Sequence, residues 1–391
     1  MVRLMPALQL PTASGRLETY RPGAASPFPR TQAGPFNRIA FGAAHVVADP
    51  LRAENPWIDT AVDWDRTIAF REHLWDLGLS VAEAMDTAQR GMGLDWPTSL
   101  ELIRRSVVAA KARGAGVYSG AGTDQLAAEA ARSLDDVIRA YEEQVEAVEA
   151  VGGRIILMAS RALARMARGP EDYGRVYDRI LRQVREPVII HWLGDMFDPA
   201  LAGYWGTRDL GAALDTALDV INRNAARVDG VKVSLLDKDF EIAMRRRLAP
   251  GVRMYTGDDF NYAELIAGDE QGYSHALLGI FDAIAPAASA ALTALAAGEE
   301  DTFHRILAPT VPLSRHIFQA PTRFYKTGIV FMAYLNGHQD HFTMVGGQES
   351  ARSTLHLAEL FRLADKAGLL ADPDLATARA RPVFAAHGIA A

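Results

Sequence analysis

Lys232 lies inside the apolar run Val231, Val233, Leu235 and Leu236, directly after the turn Asp229-Gly230. Of the five lysines (Lys111, Lys232, Lys238, Lys326 and Lys366), it alone sits in a stretch that reads as a buried strand. An ammonium there is costly unless it is paired, neutralised or used. A desolvated lysine gives up its proton more easily, and the free amine can attack a carbonyl to form a Schiff base. The structural alternative is a strand-end lysine paired with a carboxylate, because ion pairs also perturb lysines. His191 falls near the end of a second apolar run, Pro187-Val188-Ile189-Ile190-His191-Trp192. A histidine beside a Schiff-base lysine can shuttle the protons that carbinolamine formation and carbon-carbon cleavage require. Its structural alternative is a core histidine bonded to backbone.

Further candidates for the rim of a pocket are His45, Glu83, Ser119, Asp258 with Asp259, and His275, each in or just after an apolar run. Two carboxylates after the seventh run disfavour a phosphorylated substrate. Glu83 also suits a paired structural carboxylate, and Asp258 a helix N-cap. A divalent metal is the competing chemistry: His45, Glu83, Asp86, His191 and His275 are ligand types for an isomerase or metal-dependent aldolase. No compact His-Glu-x-x-His spacing supports it, and His338-Gln339-Asp340-His341 reads as a surface or interface loop. Gly114-Ala115-Gly116 and Gly120-Ala121-Gly122 lack the lysine and hydroxyl of a phosphate cradle, and no Gly-x-Ser-x-Gly elbow is present.

These residues are carried by a repeating pattern. Short apolar runs at Arg38 to Val47, Leu79 to Met85, Gly116 to Ser119, Arg154 to Ala159, Pro187 to Trp192, Gly230 to Leu236, Val252 to Thr256 and Gly272 to Leu278 alternate with amphipathic stretches such as Thr67 to Leu77 and Leu126 to Val151. Eight strand and helix units close most naturally into an α/β (β/α)8 TIM barrel, with chemistry at the C-terminal strand ends. An open doubly wound sheet is the alternative, but the first strand leads into Ala43-Ala44-His45-Val46 without a dinucleotide fingerprint. Alternation puts Lys232 and Ser234 on one face of the sixth strand and Val231 and Val233 on the other. Neighbouring strands are about 4.8 Å apart, so Lys232 and His191 can meet around one small ligand.

Residues 1–35 read as an N-terminal extension, with a hairpin formed by Leu8-Gln9-Leu10 and Leu17 to Tyr20 around Thr12-Ala13-Ser14-Gly15. The barrel is expected over 36–287. Residues 288–391 are expected to be added helices, with apolar periodicity in Thr302 to Phe318, Tyr325 to Leu335 and Ala351 to Ala367. The net charge of -7 and the lack of a basic stripe argue against nucleic acid. Absence of cysteine excludes disulfides and thiolate chemistry, and no segment offers about 18 uncharged apolar residues for a membrane span. A cytoplasmic enzyme is expected.

Gly230-Val231-Lys232-Val233-Ser234, with Pro187-Val188-Ile189-Ile190 before it and Thr256-Gly257-Asp258-Asp259 then Ala285-Pro286 after it, resembles the dihydrodipicolinate synthase and N-acetylneuraminate lyase superfamily. Within it, the chain is most similar to a divergent branch described as dihydrodipicolinate synthase-like with a domain of unknown function. The resemblance implies a cofactor-free class I lyase or aldolase on a (β/α)8 barrel, assembled as a homodimer or homotetramer, with Lys232 as the Schiff-base lysine. It also implies two departures. His191 stands where the superfamily has a proton-relaying tyrosine. Met85-Asp86-Thr87-Ala88-Gln89 replaces the loop that binds a substrate carboxylate, keeping at most Thr87. Asp86 and Thr87 are then candidate substrate contacts, and a keto sugar or other polyhydroxy carbonyl compound is expected in preference to pyruvate. A noncatalytic sugar-binding barrel is a further alternative.

Overall fold

The computed structural model describes residues 7–389. Its strands are the hairpin β1 (Leu8–Pro11) and β2 (Leu17–Tyr20), then β3 (Ala40–Ala43), β4 (Ser80–Glu83), β5 (Val117–Ala121), β6 (Arg154–Leu157), β7 (Val188–Leu193), β8 (Val228–Ser234), β9 (Arg253–Thr256) and β10 (His275–Leu278). The last eight pair in parallel and close into a barrel in the order β10-β3-β4-β5-β6-β7-β8-β9. All eight runs expected from the sequence are thus barrel strands, and the fold is the expected (β/α)8 barrel. Strand β7 is buried at every position, because a parallel barrel covers both faces of its strands.

The chain divides into two compact units. The barrel unit comprises Arg38–Ala44 and Leu79–Gly279. Phe41, Tyr118, Ile189 and Tyr255, from alternate strands β3, β5, β7 and β9, form part of its innermost cluster, with Phe41 edge-on to both tyrosines. Bulky side chains therefore fill the middle of the barrel. Two residues further along come Ala43, Gly120, His191 and Gly257, so the next level toward the C-terminal ends has three positions with little or no side chain. At the N-terminal ends, Tyr255 donates to Asp229 at 2.6 Å, Arg253 pairs with the same carboxylate at 2.8 Å, and Arg154 lies 4.3 Å over the Tyr118 ring.

The helix expected over Leu126 to Val151 begins eight residues later, as Leu134–Ala150. Ser133 and Asp136 form a reciprocal capping box there, which satisfies two amides that would otherwise be orphaned and sets the start. Residues before it remain in turns.

The second unit is helical and comprises Met1–Asn37, described from residue 7, with His45–Gly78 and Ile280–Ala391. The expected hairpin is present: β1 and β2 pair from Leu8 with Tyr20 to Pro11 with Leu17. It docks on helix Thr354–Lys366, where Arg362 donates to Glu18 and to the Pro11 carbonyl, and Tyr20 donates to Asp365 at 2.6 Å. The helix expected over Thr302 to Phe318 is two, Glu300–Leu307 and Thr310–Ile317, separated at Pro309, which cannot supply the amide a continuous helix needs. Helix Trp64–Asp76, expected as a barrel helix, groups with this unit.

Burial gives the helical unit a pH dependence. Desolvation, reinforced by neighbouring His and Arg side chains, lowers His338 and His356 from 6.5 to about 3. Between those values the unfolded chain binds protons that the folded chain does not, so stability is fully present above about pH 6.5 and is lost as pH falls toward 3. By linkage each group contributes at most about 2 kcal/mol to the loss between pH 7 and 5. Urea unfolding midpoints are expected to fall over that interval in the wild type, and His356→Phe is expected to reduce the fall. An unchanged pH profile in that variant would contradict the assignment.

Candidate active site

Strand register puts Lys232 directly opposite His191 on β7 and Tyr255 on β9. Lys232 is 7% exposed, while His191 and Ser234 are buried. Lys232 and Ser234 share the inward parity of β8 with Gly230, as alternation requires. His191 Nε2 lies 3.2 Å from Ser234 Oγ, and its Nδ1 is buried without a hydrogen-bond partner. A side chain at Gly257 would place its Cβ 2.2 Å from Ser234 Oγ and 2.8 Å from Lys232 Cε, so the hydroxyl and the end of the lysine converge on one point. Glycine is required there by close approach.

Among the described residues none accepts a hydrogen bond from Lys232 Nζ or forms an ion pair with it. Burial lowers its pKa from 10.5, and the carboxylates of Asp86 and Asp259 act in the opposite direction. Burial, reinforced by the Lys232 charge, holds His191 well below 6.5. The neutral imidazole is therefore its form at physiological pH. A desolvated amine and a neutral imidazole bridged to a hydroxyl thus lie in the C-terminal half of the barrel interior, with two carboxylates near enough for their charge to act on the amine.

Asp86 and His191 line a cavity of about 800 Å³, which also reaches Met158, Leu193, Trp96 and Asp124. Its wall is set by an irregular turn. Ala84, just after β4, is in the left-handed region at φ 50, which reverses the strand alternation and turns Met85 into the barrel cluster ahead of Asp86. Glu83 Oε1 accepts from the Ala84 amide at 2.7 Å and Arg90 donates to the Ala84 carbonyl at 3.3 Å, pinning this peptide from both sides. Arg90 also donates to the Gly120 carbonyl at 2.6 Å, to both Asp124 oxygens at 2.7 and 3.0 Å, and to Gln144. Arg161, the other arginine of the cavity, is engaged by Asp198 at 2.5 Å.

Several residues expected at the mouth lie elsewhere. Glu83 and Ser119 have the outward parity of β4 and β5, since Ala82 and Tyr118 take the inward positions. Glu83 Oε2 accepts from Ser106 on helix Trp96–Arg113, so it is a structural carboxylate. Asp258 caps the turn after β9: Oδ1 accepts from the Phe260 and Asn261 amides at 2.8 and 3.0 Å, and Oδ2 from the Asn261 side chain. His275 opens β10 at its N-terminal end, where Nδ1 accepts from the Ile39 amide at 3.0 Å. His45 belongs to the helical unit and pairs with Asp282 at 2.8 Å. Thr87 is buried in the short turn Asp86–Ala88. Among the described residues no three such side chains are grouped to hold a metal ion. Sequence reading gave Asp259 together with Asp258 as a rim candidate, and it missed Arg90 and the steric role of Gly257. The Thr256-Gly257-Asp258-Asp259 string was the available signal.

Gly257→Ala forces contact with the Val233 carbonyl at 2.6 Å as well as with Lys232 and Ser234, and a backbone oxygen has little freedom to yield. It is expected to cost roughly 1–3 kcal/mol of stability and about 100-fold in any reaction of Lys232. Denaturant unfolding and carbonyl adduct formation measure the two losses separately; a variant normal in both would contradict the packing described.

The chain is similar in fold to several solved barrels. Dihydrodipicolinate synthase from Aquifex aeolicus superposes with a TM-score of 0.64 at 13% identity, over 85% of this chain and 99% of that one. A prophage protein of the dihydrodipicolinic acid synthase family from E. coli K12, in complex with pyruvate, gives 0.65 at 14%, with the same coverage. Chloride-inhibited dihydrodipicolinate synthase from Acinetobacter baumannii, complexed with pyruvate, gives 0.61 at 17%, again over 85% and 99%. No curated protein matches the sequence. At these identities the likeness concerns the fold, which is the barrel that the motif order led us to expect. The model of the family described as "Protein of unknown function (DUF993)" matches residues 8–389, nearly the whole chain, and the protein belongs to that family.

Proposed function

We propose that the protein is a class I lyase or aldolase in which Lys232 forms a Schiff base with a small, uncharged, polyhydroxy carbonyl compound. The observation that carries this reading is Lys232 itself, desolvated and opposite His191 in the barrel. Desolvation raises the fraction of free amine, which adds to the carbonyl carbon to give a carbinolamine. Loss of water leaves an iminium. As a base removes the proton of a hydroxyl two carbons from the imine, the carbon-carbon bond breaks and its electron pair moves onto the iminium to give an enamine. Protonation and hydrolysis then free the amine. His191 is the proton carrier, with Ser234 holding its imidazole, while Asp86 and Asp259 favour the cationic iminium.

The charges of the cavity that Asp86 and His191 line support this substrate class. Five carboxylates line it (Asp86, Asp95, Asp124, Glu129 and Asp198), and both of its arginines are already engaged by carboxylates. A substrate carboxylate would meet no free cation there, whereas sugar hydroxyls donate well to carboxylates. Incubation with neutral ketoses and aldoses and with 2-oxo acids, followed by NMR, is expected to show turnover within the neutral set, unchanged by chelator. Turnover confined to 2-oxo acids would overturn the substrate class. Loss to chelator with restoration by Mn²⁺ or Zn²⁺ would overturn the mechanism.

A further inference from the structure

The helical unit holds a cavity of about 200 Å³ that the chemistry above does not use. Its polar lining comes from separated segments: Ser26 and Arg30 near the start of the chain, His73 in helix Trp64–Asp76, and Asn336 with His338 just after helix Tyr325–Leu335. Arg30 is exposed, and the other four are partly exposed. Asp282 belongs to the same wall, but its side chain is 0% exposed and its Oδ2 accepts from the His45 amide and Nδ1 at 2.8 Å, so it offers the cavity no contact. What remains is a set of donors. Among the described residues Arg30 makes no hydrogen bond or ion pair, and it is the only Lys or Arg of the lining. Its charge nevertheless acts on both His73 and His338, whose ring centroids are 4.4 Å apart. Neither imidazole makes a hydrogen bond among the described residues, and none of their nitrogens is sealed from solvent. Burial lowers both pKa values, that of His338 to about 3, so each ring is neutral near pH 7 and has one N–H to donate. Asn336 Oδ1 accepts from the Ala371 amide at 2.8 Å, which leaves the side-chain NH2 to donate as well.

We propose that this cavity binds a small monocarboxylate, held by the Arg30 guanidinium with the N–H groups of His73, His338 and Asn336 around it. A guanidinium without a counter-ion pairs with a carboxylate through charge-assisted hydrogen bonds, and neutral donors complete the anion's bonding without adding charge. The charge balance sets the valence. With one cation in the lining and a buried carboxylate in the same wall, a second negative charge on the ligand would be uncompensated. Pro286 and Ala371, both partly exposed, supply an apolar stretch for a short alkyl chain.

Isothermal titration calorimetry of the full chain near pH 7.5 with propionate, inorganic phosphate and ethylamine as probes tests the site. Propionate is expected to bind saturably with one site per chain, phosphate more weakly, and ethylamine not at all. Arg30→Gln is expected to weaken propionate by at least about tenfold, the scale of one charge-assisted hydrogen bond. Arg30 is exposed and unpaired, so its loss should leave the fold intact. His338→Phe keeps a ring against Phe70 and His73 but removes the donor, and it is expected to weaken propionate by about fivefold, the scale of a neutral hydrogen bond. Nuclear magnetic resonance places the ligand: propionate is expected to shift the His73 and His338 ring signals in the wild type and not in Arg30→Gln. No saturable binding of propionate, binding that survives Arg30→Gln, or ring signals that stay unmoved at saturation would overturn the site. Phosphate bound more tightly than propionate would overturn the ligand class.

Discussion

Lys232→Met is expected to lower kcat/KM by at least about 10³-fold while raising stability. The first effect follows from losing the only nucleophile the mechanism uses, since groups acting in a covalent step are not replaced by their neighbours. The second follows from the environment: Lys232 is buried, its Nζ makes no ion pair among the described residues, and methionine has similar length without a charge to desolvate. Replacing a buried charge by an apolar side chain of similar volume is worth roughly 1–2 kcal/mol here, the lower part of the range for such exchanges. A purely structural lysine would give the opposite pair of results, with activity kept and stability lost. Denaturant unfolding and steady-state kinetics on the same preparation distinguish them.

His191→Phe separates proton transfer from imine formation. The ring fills the same space on β7, but it removes Nε2, which lies 3.2 Å from Ser234 Oγ, and the unpartnered Nδ1. We expect kcat to fall by about 10²–10⁴-fold, the usual contribution of a positioned acid or base, while adduct formation on Lys232 persists. The pH profile adds a sign. The free amine is the attacking form, and burial lowers its pKa from 10.5, so the rate is expected to rise with pH and to level off below that value. His191 stays neutral far below pH 6.5 and should impose no acid limb near neutrality. A variant with normal kcat would remove His191 from the mechanism.

The two residues at the centre of the proposed chemistry stood out in the sequence because each is an ionisable side chain inside an apolar run. Glu83 and Ser119 were misjudged by one position on the same kind of run. In a parallel barrel both faces of a strand are buried, so apolar residues occur at both parities and the pattern does not say which side faces the interior. Ala82 and Tyr118 hold the inward places, and a small alanine gives little warning of it. Asp258 and Asp259 show the same limit in a turn, where one residue caps amides and the charge of the next acts on the lysine. Strand existence was easy to read for all eight strands because each run is short, apolar and bounded by polar segments. The start of helix Leu134–Ala150 and the break at Pro309 were written in Ser133-x-x-Asp136 and in the proline, signals more local than the periodicity used. Arg90 had no sequence signature, since its partners Asp124, Gln144 and two backbone carbonyls come from separated segments.

The strained turn gives Glu83 a positioning role in place of the one first expected. Its hydrogen bond to the Ala84 amide holds a non-glycine residue at φ 50, and that conformation delivers Asp86 to the cavity.

Borohydride reduction of the protein in the presence of neutral ketoses, with the product read by intact mass and peptide mapping, tests the central claim most directly. The account predicts a single added mass equal to the sugar less one water plus two hydrogens, located on Lys232 and absent from Lys232→Met. Turnover of a substrate without any trapped adduct, or an adduct placed on another lysine, would contradict it.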